Sequence, residues 1–223
     1  MFHAAIFDFD GLILDTDWPG YLSWQALFEE YGLELPLAVW ADYVGTSHAA
    51  GPAARLVDLL ATRGIAADHE ALQADRDRRR EALIRTYDPL PGAVAAIHAC
   101  RAAGLRLAIA SSSPSPRIRR HLGFLLARGF DLAPHFEAII CRDHVGDRAK
   151  PDPAVYCAAL AALDVAPEET FALEDSLNGV RAARAAGLYT IAVPNRSTAM
   201  LDFGSADLVL SSLEEFDLAA LPQ

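Results

Sequence analysis

Four short stretches hold the residues able to do chemistry: D-F-D-G-L (Asp8 to Leu12), A-S-S-S (Ala110 to Ser113), A-K-P-D-P (Ala149 to Pro153) and L-E-D-S-L-N-G-V (Leu173 to Val180). They supply the carboxylates of Asp8, Asp10, Glu174 and Asp175, a hydroxyl cluster at Ser111, Ser112 and Ser113, and one ammonium at Lys150. Clustered carboxylates cannot all ionise cheaply unless a cation compensates them. Oxygen donors with no nearby His or Cys pattern suit a hard cation such as Mg²⁺. A divalent ion beside one lysine attracts a phosphate dianion, and hydroxyls with backbone N–H groups at a helix start cradle phosphate oxygens. An aspartate can itself be the nucleophile, splitting a hard hydrolysis into two steps through an aspartyl-phosphate. Residues two apart in a strand share a face, so Asp8 and Asp10 are expected to address one substrate. The second carboxyl could then protonate the leaving group and later deprotonate water. Asp and Ser are also frequent at strand ends and helix starts for structural reasons. That explains any one stretch, but not four in succession.

The elements that position these stretches are short apolar runs: His3–Phe9, Leu105–Ala110, Glu137–Cys141, Thr170–Leu173, Tyr189–Val193 and a weaker one at Ala206–Leu210. Helical patterns separate them at Ala93–Ala103, Arg117–Arg128, Pro153–Leu163 and Asn178–Ala186, with glycines where C-caps are expected. Such alternation predicts an α/β fold, a doubly wound and mostly parallel Rossmann-like sheet. Ligands then gather beyond the carboxyl ends of the strands, where the four stretches fall. From Thr16 to Tyr87 the alternation stops, and only helical patterns remain: Tyr21–Tyr31, Ala53–Thr62 and His69–Tyr87. Residues 16–87 are therefore expected to form an all-helical cap subdomain inserted into an α/β core of residues 1–15 and 88–223. The prolines of Asp88 to Gly92 suit a return hinge.

Composition narrows the function. Of 223 residues, 52% are apolar and 22% charged, which excludes a largely disordered chain. With 19 Lys+Arg against 30 Asp+Glu, the net charge of −11 argues against binding nucleic acid along its phosphate backbone. Three cysteines without a C-x-x-C pair suit a reducing, cytoplasmic setting and read as small buried apolar groups. The N-terminus does not read as a signal peptide, and no run has the length of a bilayer span, so no membrane partner is expected. A monomer is the simplest expectation for this length. The D-R-D-R-R-R run (Asp75 to Arg80) reads as a solvated helix face, with an anion patch as the alternative. Trp18, Trp24 and Trp40 read as packing residues, with stacking on a substrate as the alternative.

Together the four stretches closely resemble, in order and over nearly the whole chain, the four motifs of the haloacid dehalogenase-like hydrolase superfamily. The helical insert resembles the small cap of the branch containing β-phosphoglucomutase and phosphoglycolate phosphatase, and D-T-D (Asp15 to Asp17) is similar to the D-T-E common there. The resemblance implies that Asp8 is the nucleophile and a metal ligand, and that Asp10 offers its backbone carbonyl to the metal and its side chain as general acid and base. It implies that Ser111 hydrogen-bonds the phosphoryl group, with Ser112 beside it. Lys150 would neutralise nucleophile and phosphoryl oxygens, while Asp175, supported by Glu174, ligates Mg²⁺. An acid at position 10 separates this chain from the metal-free dehalogenases, and a cap region without lysine disfavours imine chemistry.

In this branch the cap closes over the site, and the loop Y-V-G-T-S-H (Tyr43 to His48) resembles its substrate-facing loop. The mutases carry an arginine in that loop and a histidine opening the first cap helix, where this chain has His48 and Gly20. The expectation is a Mg²⁺-dependent phosphatase acting on a small phosphorylated metabolite, with a β-phosphoglucomutase-like sugar-phosphate mutase as the alternative. His48 is a candidate substrate contact or a polar loop residue without a role. A non-catalytic phospho-ligand sensor is a third reading, opposed by the completeness of the set.

Overall fold

The computed structural model describes residues 1–41 and 52–222; the loop Tyr43 to His48, and with it the expected contact of His48, lies outside the described residues. The chain divides into two compact units, Met1–Asp15 with Tyr87–Gln223, and Thr16–Thr86.

The first unit is built on six parallel strands: β1 (Ala4–Phe7), β2 (Arg106–Ser111), β3 (Ala138–Cys141), β4 (Thr170–Glu174), β5 (Tyr189–Ala192) and β6 (Leu208–Val209). Their order across the sheet is β3-β2-β1-β4-β5-β6. β1 is central, with Phe7 level with Ile109 of β2 on one side and with Leu173 of β4 on the other. All four residues of β1 are buried, as a parallel strand covered on both faces requires. On one face, Ala4, Ile6, Ala108, Ala110 and Ala172 pack against Val155, Tyr156 and Ala159 and against Ala182 and Ala183. Those residues belong to two helices, one after β3 and one after β4.

The remaining helices of this unit are α5 (Ala93–Ala102) and α6 (Ser115–Ala127), and the two just met span Ala154–Leu163 (α7) and Leu177–Ala185 (α8). Two expectations shift. β1 stops at Phe7, so Asp8 and Asp10 lie in the loop beyond it, and strand alternation is not what brings them together. The expected Ala206–Leu210 strand contracts to two residues at the sheet edge.

The second unit holds α1 (Asp17–Glu30), α2 (Leu37–Ala41), α3 (Pro52–Thr62) and α4 (His69–Ile84). α1 begins four residues before the expected Tyr21, because Pro19 falls in the first turn, where a missing N–H breaks no helical bond. Tyr21, Trp24, Leu27, Phe28, Trp40, Leu56, Leu60 and Leu72 form its core, so Trp24 and Trp40 are packing residues. The Asp75–Arg80 run is only partly a solvated face. Arg80 is buried and donates to the Thr16 carbonyl, while the Arg76 guanidinium lies 5.7 Å above the Trp24 ring. Among the cysteines, Cys100 and Cys141 are buried as expected, but Cys157 is exposed, on the outer side of α7. No helix among the described residues is long and apolar enough to cross a membrane.

Candidate active site

The loops after β1, β2 and β4, and the loop carrying Lys150 into α7, converge at the carboxyl edge of the sheet. Asp8 follows β1 directly, and its backbone N–H donates to the Leu173 carbonyl at 3.0 Å, which ties the first stretch to β4. The Lys150 ammonium lies 2.5 Å from Asp8 Oδ1 and 2.5 Å from Glu174 Oε1, and it also donates to the Ala110 carbonyl at 2.8 Å. All four stretches thus meet at one nitrogen. The Ser112 hydroxyl accepts the Lys150 backbone N–H at 3.0 Å, so it holds the loop that carries the lysine. Ser111, at the end of β2, accepts the Ser113 N–H and donates to Asp10 Oδ2 at 3.1 Å.

Burial pushes the Asp8 carboxyl well above the usual carboxylate range; Lys150 pulls it back, while Glu174 and Asp10 add to the rise. Burial alone would depress the Lys150 ammonium, but the charges of Asp8 and Glu174 outweigh it and raise the pKa, so the amine stays charged.

Asp8, Glu174 and Asp175 each offer an oxygen within 4.8 Å of the others, and all three are buried. A wholly oxygen donor set of this density fits a hard divalent cation such as Mg²⁺. The loop is shaped around it: Gly11 has φ +87°, and a Cβ there would run into the Asp175 carboxylate. Glu174 is engaged by three donors. Its Oε1 takes Lys150 and the Tyr156 hydroxyl (2.5 Å), and its Oε2 takes the Ser176 hydroxyl at 3.2 Å. A Cβ on Gly179, in the first turn of α8, would overlap that carboxylate, so the helix approaches it backbone-first. Ser176 caps α8 by accepting the Gly179 N–H.

Sequence reasoning missed three participants. Tyr156 sits in the apolar pattern of α7, yet its buried hydroxyl meets Glu174, and its ring lies 5.0 Å from the Lys150 ammonium. Burial, followed by the charges of Glu174 and Asp8, holds the Tyr156 phenol well above its ordinary pKa, so it remains a donor. Asn195 and Thr198 lie in the loop after β5. Asn195 Nδ2 donates to Asp175 Oδ2 at 2.8 Å, and Thr198 Oγ1 donates to the Asp175 carbonyl at 2.8 Å. The signal for Tyr156 was weak, but Asn195 was within reach, because the strand-end rule that selected the four stretches applies equally to β5. Asp15 is buried and paired with Arg196, two bonds at 3.0 and 2.6 Å.

The model of the family described as haloacid dehalogenase-like hydrolase matches residues 2–187. The Bacillus subtilis (strain 168) protein YhcW, named as a phosphatase, is 38% identical over 221 residues, covering 99% of this chain and 96% of YhcW. The β-phosphoglucomutase of the same organism is 28% identical over 223 residues, covering 98% and 93%. The crystal structure of CbbY from Rhodobacter sphaeroides in complex with phosphate superposes with a TM-score of 0.74 at 30% identity, covering 96% of each chain. With its sheet, its four motif stretches and the breadth of these matches, the chain belongs to the haloacid dehalogenase-like hydrolase family.

Proposed function

We propose that this chain is a Mg²⁺-dependent phosphatase that hydrolyses a small phosphorylated metabolite through an aspartyl-phosphate on Asp8. The observation that carries the reading is the Lys150 ammonium held 2.5 Å from both Asp8 and Glu174, with Asp175 in the same buried cluster. Among the described residues one ammonium stands with three buried carboxylates, and a bound Mg²⁺ would supply further positive charge for both the carboxylates and the phosphoryl oxygens. Asp8, the Asp10 carbonyl and Asp175 would hold the ion, with Glu174 outside them anchoring Lys150.

In the first step an Asp8 carboxylate oxygen attacks phosphorus. The Asp8–phosphorus bond forms, the bond to the leaving alcohol breaks, and Asp10 gives that oxygen its proton. Lys150 screens the nucleophile from the phosphoryl oxygens as they approach, and Ser111 binds one of those oxygens. In the second step water attacks phosphorus and Asp10 takes its proton, which releases phosphate and restores Asp8. Before substrate binds, Ser111 donates to Asp10 and so sets the direction of that carboxyl.

The likeness to phosphatase-named YhcW favours hydrolysis, and Gly20 supports it over the mutase alternative. A Cβ there would lie 3.2 Å from Arg76 Nη2 and 3.4 Å from Trp40, so a larger residue at that point of α1 fits only if those side chains give way. The enzyme is proposed to act as a cytoplasmic monomer. Phosphate release from a panel of sugar, polyol and carboxylic-acid phosphates with Mg²⁺ tests the reading. Release is expected with at least one compound, and loss of it in EDTA. Full activity in EDTA overturns it, while conversion of β-glucose 1-phosphate to the 6-phosphate under bisphosphate priming, without net phosphate release, replaces hydrolysis by the mutase.

A further inference from the structure

We propose that Asn195 is a positioning residue of the metal site, setting the Asp175 carboxylate and the Asp10–Gly11 backbone in register with one amide. This rests on the reading above, in which Asp175 and the Asp10 carbonyl hold Mg²⁺. Asn195 Nδ2 donates to Gly11 O at 2.9 Å and to Asp175 Oδ2 at 2.8 Å, while Asn195 Oδ1 accepts the Ser197 N–H at 2.8 Å. The orientation of the amide is fixed by chemistry. Ser197 N–H can only donate, and a carbonyl and a carboxylate oxygen can only accept, so the NH₂ side must face the metal loop. All three hydrogen-bonding positions engaged in this way are local to the site.

The segment held in this way needs a brace. β1 ends at Phe7, and residues 8–15 form a loop closed by its own turn bonds, Gly11 N to Leu14 O and Ile13 N to Phe9 O. The loop after β5 grips it twice: Asn195 takes the Gly11 carbonyl, one peptide beyond the Asp10 carbonyl, and Arg196 takes Asp15. A Cβ on Gly11 would lie 2.8 Å from Asn195 Nδ2 and against Asp175, so glycine is what lets the three groups nest. One expected ligand, Asp175, and the peptide next to another, the Asp10 carbonyl, therefore share one donor on a third loop, and losing it removes a bond that holds each in place. Groups that orient metal ligands in this manner change affinity or activity about 10–100-fold when removed.

The test uses Mn²⁺ as the probe on the whole chain without substrate, with the dissociation constant read by electron paramagnetic resonance or calorimetry. Asn195→Ser retains an acceptor for the Ser197 N–H but cannot reach Gly11 or Asp175. It is expected to weaken Mn²⁺ binding about 10–100-fold while its melting temperature in EDTA stays within about 2–4 °C of the parent. Asn195→Asp keeps size and turn acceptor but sets a third oxygen against Asp175 and Gly11, and in EDTA it is expected to melt below the parent. Unchanged Mn²⁺ affinity in Asn195→Ser, or an unchanged EDTA melting temperature in Asn195→Asp, overturns the assignment while leaving the metal reading intact. A parent chain that binds no Mn²⁺, or an Asp175→Ala variant that binds it as well as the parent, overturns the metal reading and this inference with it.

Discussion

The two units bury charge in opposite ways. In the helical unit, buried or half-buried arginines meet groups beside them: Arg80 a backbone carbonyl, Arg76 the face of Trp24 and the Asp77 carboxylate at 2.8 Å. Their role is closed by packing. In the α/β unit, the buried carboxylates of Asp8, Glu174 and Asp175 cluster together, and among the described residues Lys150 pairs with the first two. Burying like charges together raises the free energy of the folded chain unless something positive arrives. The carboxylate excess in one unit, against the packing in the other, is where the proposed cation would act.

The largest expected effect breaks the comparison at Asp8, the proposed nucleophile. Asp8→Asn keeps the shape of the side chain and removes the attacking oxygen's charge. Turnover of p-nitrophenyl phosphate is expected to fall about 10⁴-fold or more, measured with Mg²⁺ present; a variant retaining a tenth of the activity breaks the assignment. Lys150→Met comes next. It leaves Asp8 and Glu174 buried without their shared partner, which is expected to destabilise by about 3–5 kcal/mol in denaturant titration and to lower activity about 10²-fold or more.

How far such residues can be read from sequence depends on what fixes them. Asp8, Ser111, Lys150 and Asp175 announce themselves because four strand ends in succession carry polar groups, and strand ends are legible from apolar runs. Helix limits were less so: the apolar pattern begins at Tyr21, whereas α1 begins at Asp17 with Pro19 in its first turn. Tyr156 stayed hidden because a phenol in an apolar helix face is indistinguishable from a packing aromatic until its hydroxyl is seen on Glu174. The sharing of one carboxylate between Lys150, Tyr156 and Ser176 is set by loop paths, and no residue spacing encodes it.

Smaller effects sharpen the contrast further. Gly179→Ala drives a methyl into the Glu174 carboxylate. It is expected to destabilise by about 1–3 kcal/mol and to lower activity by displacing Lys150, although alanine is the better helix former. The pH response follows from Asp8, whose folded pKa is raised. Its proton is held longer in the folded than in the unfolded chain, so its contribution to stability is fully present at low pH and is lost as pH rises through the folded pKa. In EDTA, the melting temperature of Asp8→Asn relative to the parent is expected to increase with pH over that range. On the proposed mechanism Asp8 must be ionised to attack, so activity is expected to climb over the same interval, with the midpoint moving to lower pH as Mg²⁺ is raised. A pH-independent difference in melting temperature would remove the burial argument.

The smallest expected effect is the most direct test of the comparison. Arg79, in α4, contacts two carboxylates at distances like those of Lys150: Glu30 at 2.6 Å and Asp75 at 2.7 Å. Its side chain is 33% exposed, against 4% for Lys150. If proximity alone set the strength of an ion pair, Arg79→Ala and Lys150→Met would destabilise alike. Solvent answers the charges that Arg79→Ala would leave behind, so that variant is expected to lose at most about 1 kcal/mol, to lose less still as salt is raised, and to leave turnover unchanged. Buried Asp8 and Glu174 have no such recourse when Lys150 is removed. Equal losses for the two variants in denaturant titration would show that burial is not what separates the two units.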